Sequence, residues 1–482
     1  YALDHVAREI LGEGKTISGS GRAQEIMRLY REDRPRLVEY NRRDAWLARR
    51  ILQQLHLVEL ALERSRLTGV PPDRVSASIA SFDRLYLTRL AERKIVAPSV
   101  GDATGDEPAG GGHVLEPQPG LYDRVLVLDF KSLYPSIIRT FQIDPLGYVS
   151  EPLVGDDVIR APNGACFRRQ PGLLPSILDE LFPRRLAAQQ VGDRITSQAI
   201  KILMNSFYGV LATPACRFYN PRVANAITSF GRELLLWTKQ QLESDGYRVL
   251  YGDTDSLFVL SDAADSVSAR RLGTRLATKL TGSLAEHVHE TWRVESKLEL
   301  EFERLYVRLL LPEARRSHAG ARKRYAGLIE DARGRRVVFT GLEIVRRDWT
   351  ELAKRVQREL YERLFANQPV EDYLRGTIVE LRGGRLDELL VYRKVLRKPL
   401  DAYTSTTPPH VAAARKLRAP PGRRIAYVWT VEGPEPASQR EHAIDHEHYV
   451  QKQVRPVAEP VLAVLGLDFD EITGKQRQAR LF

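Results

Sequence analysis

Residues 247–260 read YRVLYGDTDSLFVL. Two runs of apolar, β-forming residues flank a short tip of small polar ones, a pattern that predicts an antiparallel hairpin with a tight turn. The tip carries Asp253 and Asp255, one residue apart. Like charges on such a tip repel and cost stability unless positive charge sits beside them. A divalent cation is the usual remedy. The plain alternative is a turn that simply favours Asp.

Another aspartate, Asp129, stands where the apolar run VLVL (125–128) ends, within VLVLDFKSLYPSII (125–138). Carboxylates at the ends of separate strands can converge on one spot. Hard oxygen ligands without His or Cys suit Mg²⁺. Two such ions about 3.5–4 Å apart serve in-line phosphoryl transfer. A third stretch, KILMNSFYG (201–209), continues a helical pattern. Lys201, Asn205 and Tyr208 fall at i, i+4 and i+7, on one face. A cation, an amide and a phenol on one stripe suit a nucleotide. The opposite face, with Ile202, Leu203 and Phe207, belongs in a core.

The chain has 482 residues, more than a single core sustains. Its 73 basic and 62 acidic residues leave a net charge of +11, which favours a polyanionic partner. Two cysteines, Cys166 and Cys216, fit a reducing cytoplasm and supply neither a disulfide framework nor a zinc cluster. No apolar run is long enough to span a membrane. The opening YALDHVAREI has no initiator Met and no signal-peptide pattern, so the chain reads as a piece of a longer one.

Residues 1–95 carry Leu, Ala and Arg at helical spacing, as in LARRILQQLHLVELALERSR. The Gly/Pro-rich stretch 100–120 reads as a loop or boundary. Residues 150–172 look irregular. Helical stretches at 176–190 and 196–212, separated by VGDR, predict a helical hairpin. Residues 296–310 and 323–345 read as strand-rich, and helical patterns dominate from about 349 onward.

DFKSLYPSII, KILMNSFYG and YGDTDS, in this order, resemble motifs A, B and C of the family B DNA polymerases. The likeness extends along the whole chain and is strongest to the bacterial polymerase II branch, through stretches such as RKRYAGLIE, GLEIVRRDW, VYRKVLRKPL and YVWTVEGPEP. The resemblance implies an α+β multidomain right-hand polymerase. It would have an antiparallel-sheet palm (96–172 and 213–348), helical-hairpin fingers (173–212) and a mainly helical thumb (349–482). A truncated RNase H-like 3′–5′ exonuclease domain would precede them (1–95).

By the same resemblance Asp129 and Asp255 would bridge two Mg²⁺ ions, with Mn²⁺ as an alternative, and the Phe130 carbonyl would be a further ligand. Asp253 would be a less central catalytic acid. The amides of Ser132 and Leu133 would meet the triphosphate, and Tyr134 would exclude a ribose 2′-hydroxyl. Arg185, Lys201, Asn205 and Tyr208 would bind the incoming dNTP. Gln189 stands where the family often has Lys, and Thr340 where it usually has Lys. Between residues 315 and 348 ten Lys/Arg face four Asp/Glu, and Lys323, Arg324, Tyr325 and Arg346 would contact the primer–template.

Tyr40 and Asp44 resemble the third exonuclease motif, although residues 1–39 hold no Asp-x-Glu with which to complete an editing site. Gln478, Leu481 and Phe482 resemble the tail by which bacterial polymerases hook a sliding clamp. The expectation is a monomeric polymerase of the bacterial nucleoid in DNA replication and repair. The alternative is a DNA-binding polymerase remnant without synthesis.

Overall fold

The computed structural model describes residues 2–17, 22–101, 110–153, 155–314, 319–332, 334–418 and 421–474. The chain opens with helices α1 (Leu3–Leu11), α2 (Arg22–Glu32), α3 (Arg34–Gln54), α4 (Leu57–Thr68) and α5 (Ser78–Glu92). Strand β1 (Gly120–Phe130) leads into α6 (Leu133–Thr140), followed by β2 (Tyr148–Val149), β3 (Val158–Arg160) and β4 (Cys166–Arg168). Next come α7 (Leu173–Gln190), α8 (Arg194–Leu211), α9 (Pro221–Ser244), β5 (Arg248–Asp253), β6 (Ser256–Leu260) and α10 (Ser266–Trp292). Then follow β7 (Leu300–Leu311), β8 (Tyr325–Asp331), β9 (Gly334–Thr340), α11 (Glu351–Phe365) and α12 (Glu371–Arg382). The last elements are β10 (Tyr392–Val395), α13 (Pro409–Arg415), β11 (Arg424–Thr430), β12 (Gly433–Pro436), α14 (His446–Tyr449), α15 (Arg455–Leu465) and α16 (Phe469–Thr473).

The chain divides into two compact units. The first comprises Tyr1–His113, Phe130–Thr238 and Leu280–Leu300. In it α7 and α8 form the expected helical hairpin across residues 191–193, and Asp193 caps α8 by accepting the Thr196 N–H at 3.0 Å. Its core is aromatic: Tyr86 stacks on Phe82 at 5.3 Å and meets Phe218 edge-on, while Phe141 stacks on Phe230 at 3.7 Å. The small antiparallel sheet β2-β4-β3 occupies the stretch expected to be irregular. Its strands are two or three residues long, too short to leave an alternating pattern. The helical run 47–66 is also not one helix. It breaks between α3 and α4 at His56, whose φ is +50°, a conformation His tolerates better than most side chains.

The second unit comprises Val114–Asp129, Lys239–Lys279 and Glu301–Phe482. Its main sheet has the order β5-β6-β1-β7-β8-β9. The hairpin read from YRVLYGDTDSLFVL is β5–β6, and β1 lies antiparallel against β6. Val125, Val127, Leu250, Tyr251, Phe258 and Leu309 are buried together on this sheet. Leu126, Leu128, Leu257 and Val259 on the other face are buried as well, so these strands are apolar on both sides. A larger core gathers around α11, α12 and α15, with Leu352, Val356, Leu360, Val457 and Val461 fully buried. The sheet β10-β11-β12 lies among these helices in sequence, so the region from 349 onward is mixed rather than helical alone. Among the described residues no helix is long and apolar enough to cross a membrane. Both cysteines are free and buried.

Candidate active site

The register of β1 against β6 pairs Asp129 with Ser256. Opposed residues of an antiparallel pair stand about 4.5–5.5 Å apart at Cα. Asp255 precedes Ser256 in the chain, so its backbone lies roughly one strand spacing from that of Asp129. The turn closing β5 onto β6 is tight: Asp253 opposes Ser256, and the Asp255 N–H points to the Asp253 carbonyl at 2.6 Å. Thr254 sits at φ +60°, an uncommon state for a β-branched residue, and such strain persists where the surroundings over-determine it.

The electrostatics of the turn are uneven. Burial pushes the Asp255 carboxyl above the usual range, and the negative charges of Asp253 and Glu303 push the same way. Its own backbone amide and the charge of Lys323 oppose them without prevailing. The Lys323 ammonium is 3.0 Å from an Asp253 oxygen, and its backbone N–H donates to the Tyr251 hydroxyl at 3.0 Å. Burial raises that phenol to about 12. Among the described residues no group of three or more His, Cys, Asp or Glu is gathered as a metal site. The carboxylates that could hold a cation here are those of Asp129 and Asp255, which the β1–β6 register brings near each other. That set suits a hard divalent ion, and the negative surroundings of Asp255 are what such an ion would neutralise.

Glu303 was not singled out in the sequence. The signal was present in the alternating acids of ELEFE (299–303), which put Glu299, Glu301 and Glu303 on one face of an extended strand. Of the residues expected near the primer, Tyr325 stands edge-on to Phe258 at 5.3 Å, within a cluster that includes Tyr251 and Tyr306. Lys323 is left-handed at φ +58°. Its carbonyl lies so close to Gly341 that a Cβ there would come within 2.0 Å of it, so Gly341 must lack a side chain. Arg324, whose side chain is 25% exposed, pairs with Glu343, itself 1% exposed, whose other oxygen accepts from Gln357 at 2.8 Å. Arg346 forks Asp348 at 2.8 and 3.0 Å. Both guanidiniums pair with acids of the same unit, and Arg346 keeps 44% of its side chain exposed.

The first unit carries the remaining candidates. Ser132, left-handed at φ +50°, turns the chain from β1 into α6. It leaves the amides of Ser132 and Leu133 at a helix start, where first-turn N–H groups have no intrahelical acceptor. The Arg185 guanidinium on α7 donates to the Ser132 hydroxyl at 3.1 Å. Tyr134 meets Tyr208 of α8 at 4.8 Å between ring centroids. Lys201 and Asn205 are exposed on the same stripe of α8, while Leu203 and Phe207 are buried behind them. The Tyr208 hydroxyl donates to the Gly110 carbonyl, and the Gly110 N–H donates to Asn225 at 2.7 Å. Gln189 is exposed on α7.

Tyr40 and Asp44 lie one turn apart on α3. The Lys15 ammonium pairs with Asp44 and is 3.5 Å from the Tyr40 hydroxyl. Gln478, Leu481 and Phe482 lie outside the described residues.

The sequence model of DNA polymerase family B matches residues 76–463. DNA polymerase II of Escherichia coli (strain K12) is 43% identical over 491 residues, covering 97% of this chain and 62% of the relative. The DNA polymerase of Desulfurococcus sp. (strain Tok) is 30% identical over 527 residues, 100% of this chain and 64% of its own length. The solved structure of the family B DNA polymerase from the hyperthermophilic archaeon Pyrobaculum calidifontis superimposes with a TM-score of 0.67 at 28% identity, covering 97% of this chain and 62% of that one. The chain thus spans somewhat under two thirds of the length of these relatives.

Proposed function

The chain belongs to DNA polymerase family B, and on that premise we propose that it is a DNA-directed DNA polymerase acting in repair or damage-associated synthesis. It adds deoxynucleotides to a primer 3′-hydroxyl by two-metal phosphoryl transfer. The observation that carries this reading is the β1–β6 register, which opposes Asp129 to Ser256 beside Asp255. In this reading Asp129, Asp255 and the Phe130 carbonyl hold Mg²⁺. When bound, the ions supply a 3′-hydroxyl of lowered pKa and offset charge on the pyrophosphate.

The protein's own part is positioning. Arg185 and Lys201 grip the triphosphate, whose charge also meets the amides of Ser132 and Leu133. Tyr134 fills the space a ribose 2′-hydroxyl would need, and Asn205 and Tyr208 gauge the shape of the new base pair. Lys323 serves the primer end. Arg324 and Arg346, paired with Glu343 and Asp348, also contact the primer–template backbone. The palm comprises 96–172 and 213–348, the fingers 173–212 and the thumb 349–482. Residues 1–95 are the end of an exonuclease domain, and the C-terminal tail is a clamp hook.

Primer extension with Mg²⁺ tests the proposal, with Asp255→Asn as control. Extension by the wild type, lost in the variant while duplex binding persists, supports it. Duplex binding without extension by the wild type overturns it in favour of a non-catalytic scaffold.

A further inference from the structure

We propose that Asp144, six positions beyond the DFKSLYPSII stretch, is a positioning residue that fixes where Arg185 meets the nucleotide. This deepens, and rests on, the polymerase reading. Asp144 lies just after α6 and is 1% exposed. One carboxylate oxygen accepts the Tyr86 hydroxyl at 2.9 Å and the Leu174 N–H, in the first turn of α7, at 2.8 Å. The other accepts the Gly147 N–H at 3.1 Å. Gly172 packs so closely that a Cβ there would come 2.7 Å from the Asp144 Cβ. Burial pushes this carboxyl above its usual range, and the donors oppose that without prevailing.

This knot is the lowest of three rungs between antiparallel stretches. The middle rung joins Arg139 of α6 to Asp179 of α7 at 2.6 Å, with the guanidinium 4.1 Å above the Phe182 ring. The top rung is Ser132–Arg185 at 3.1 Å. Positions 144, 139 and 132 descend as 174, 179 and 185 ascend, so the rungs order α7 along α6. Magnitude says which rung governs. The Asp179 side chain is 51% exposed, and ion pairs open to water add little. A buried carboxyl group with three donors is the firmer anchor, since its hydrogen bonds are not shared with water. Arg185 sits three turns from that anchor. A shift of about 1 Å in a positioning group can cost about 100-fold in rate.

Single-nucleotide incorporation on a primer–template with Mg²⁺ tests this. Asp144→Asn puts an amide donor against donors; Tyr86→Phe removes one donor and keeps the ring. The expected result is a rise in dNTP KM of about tenfold for Asp144→Asn and about threefold for Tyr86→Phe. The kcat should stay within about threefold and duplex affinity should not change. In an Arg185→Ala background Asp144→Asn should add less than about twofold, because both act through one contact. A KM unchanged in both variants, or effects that multiply fully with Arg185→Ala, overturns the assignment. If Asp144→Asn fails to fold, the KM of Tyr86→Phe decides between the two outcomes. A wild type that extends no primer at any nucleotide concentration removes the polymerase reading, and this inference with it.

Discussion

Asp255 on the β5–β6 turn and Glu435 at the end of β12 belong to the same unit, and both are drawn out of water. Glu435 is 3% exposed. Burial alone would raise its pKa, but the N–H groups of Glu441 and His442 and the His442 ring all face it, at 2.9, 3.2 and 2.5 Å, and hold it at about 2. Asp255 meets the opposite surroundings. Burial and two neighbouring acids raise it, and one backbone amide and one lysine are too little to bring it back. An acid that finds its donors within the fold serves the fold. An acid left among acids, on a turn strained at Thr254, gains from a positive charge brought in from outside, which is what the proposed function asks of it. Asp253 stands between the extremes, with the Lys323 ammonium at 3.0 Å.

The largest expected effect breaks the comparison at its sharpest point. Asp255→Asn should lower the extension rate by about a thousandfold, the several kcal/mol of charge stabilisation a metal site contributes. The same change should leave stability in metal-free buffer unchanged or higher, because it removes one of three crowded negative charges. Urea unfolding beside primer extension reads both. A variant that loses stability instead would mean that Asp255 is held by the fold, like Glu435.

Glu435→Gln should do the reverse. The amide cannot satisfy the same donors, and the cost should be about 1.5–3 kcal/mol of unfolding free energy, read from the urea midpoint at constant slope. Extension below the unfolding transition should persist. If stability did not change, the contrast with Asp255 would lose its structural pole.

Lys323→Ala sharpens the intermediate case. If Lys323 reaches primer phosphate, duplex affinity should fall several-fold and the slope of log K against log salt should shrink by about 1. An unchanged slope would make Lys323 the counter-ion of Asp253 and nothing more.

How legible these acids were follows from the range of the interactions. The hairpin is local: continuous apolar runs on either side of a polar turn set its place, so Asp253 and Asp255 could be read directly. The stripe of Lys201, Asn205 and Tyr208 was legible for the same reason, through helical periodicity. Asp129 needed one long-range step, because a strand's partner is not written in its own pattern. The Lys323–Asp253 pair spans seventy positions, and Glu303 reaches Asp255 from β7, so neither leaves a local trace. The Arg324–Glu343 pair likewise left no local trace, because Glu343 comes from beyond β9. Strands β2, β3 and β4 were too short to announce themselves.

The smallest effect concerns pH, and its sign separates a donor network from mere burial. The Glu435 carboxyl is held at about 2 in the folded chain against an ordinary 4.5. Between those values the unfolded chain binds the extra proton, so stability rises with pH across the window. The contribution is complete above about 4.5 and is lost as pH falls toward 2. The stability gap between wild type and Glu435→Gln should therefore be widest at pH 6 and narrower at pH 3. Matched urea titrations at the two pH values measure it. A gap that did not narrow would mean the donors favour the shape of the side chain rather than its charge, and the low pKa would need another cause. A gap that widened at pH 3 would reverse the sign, making burial rather than the backbone donors around Glu441 and His442 the stronger influence on this acid.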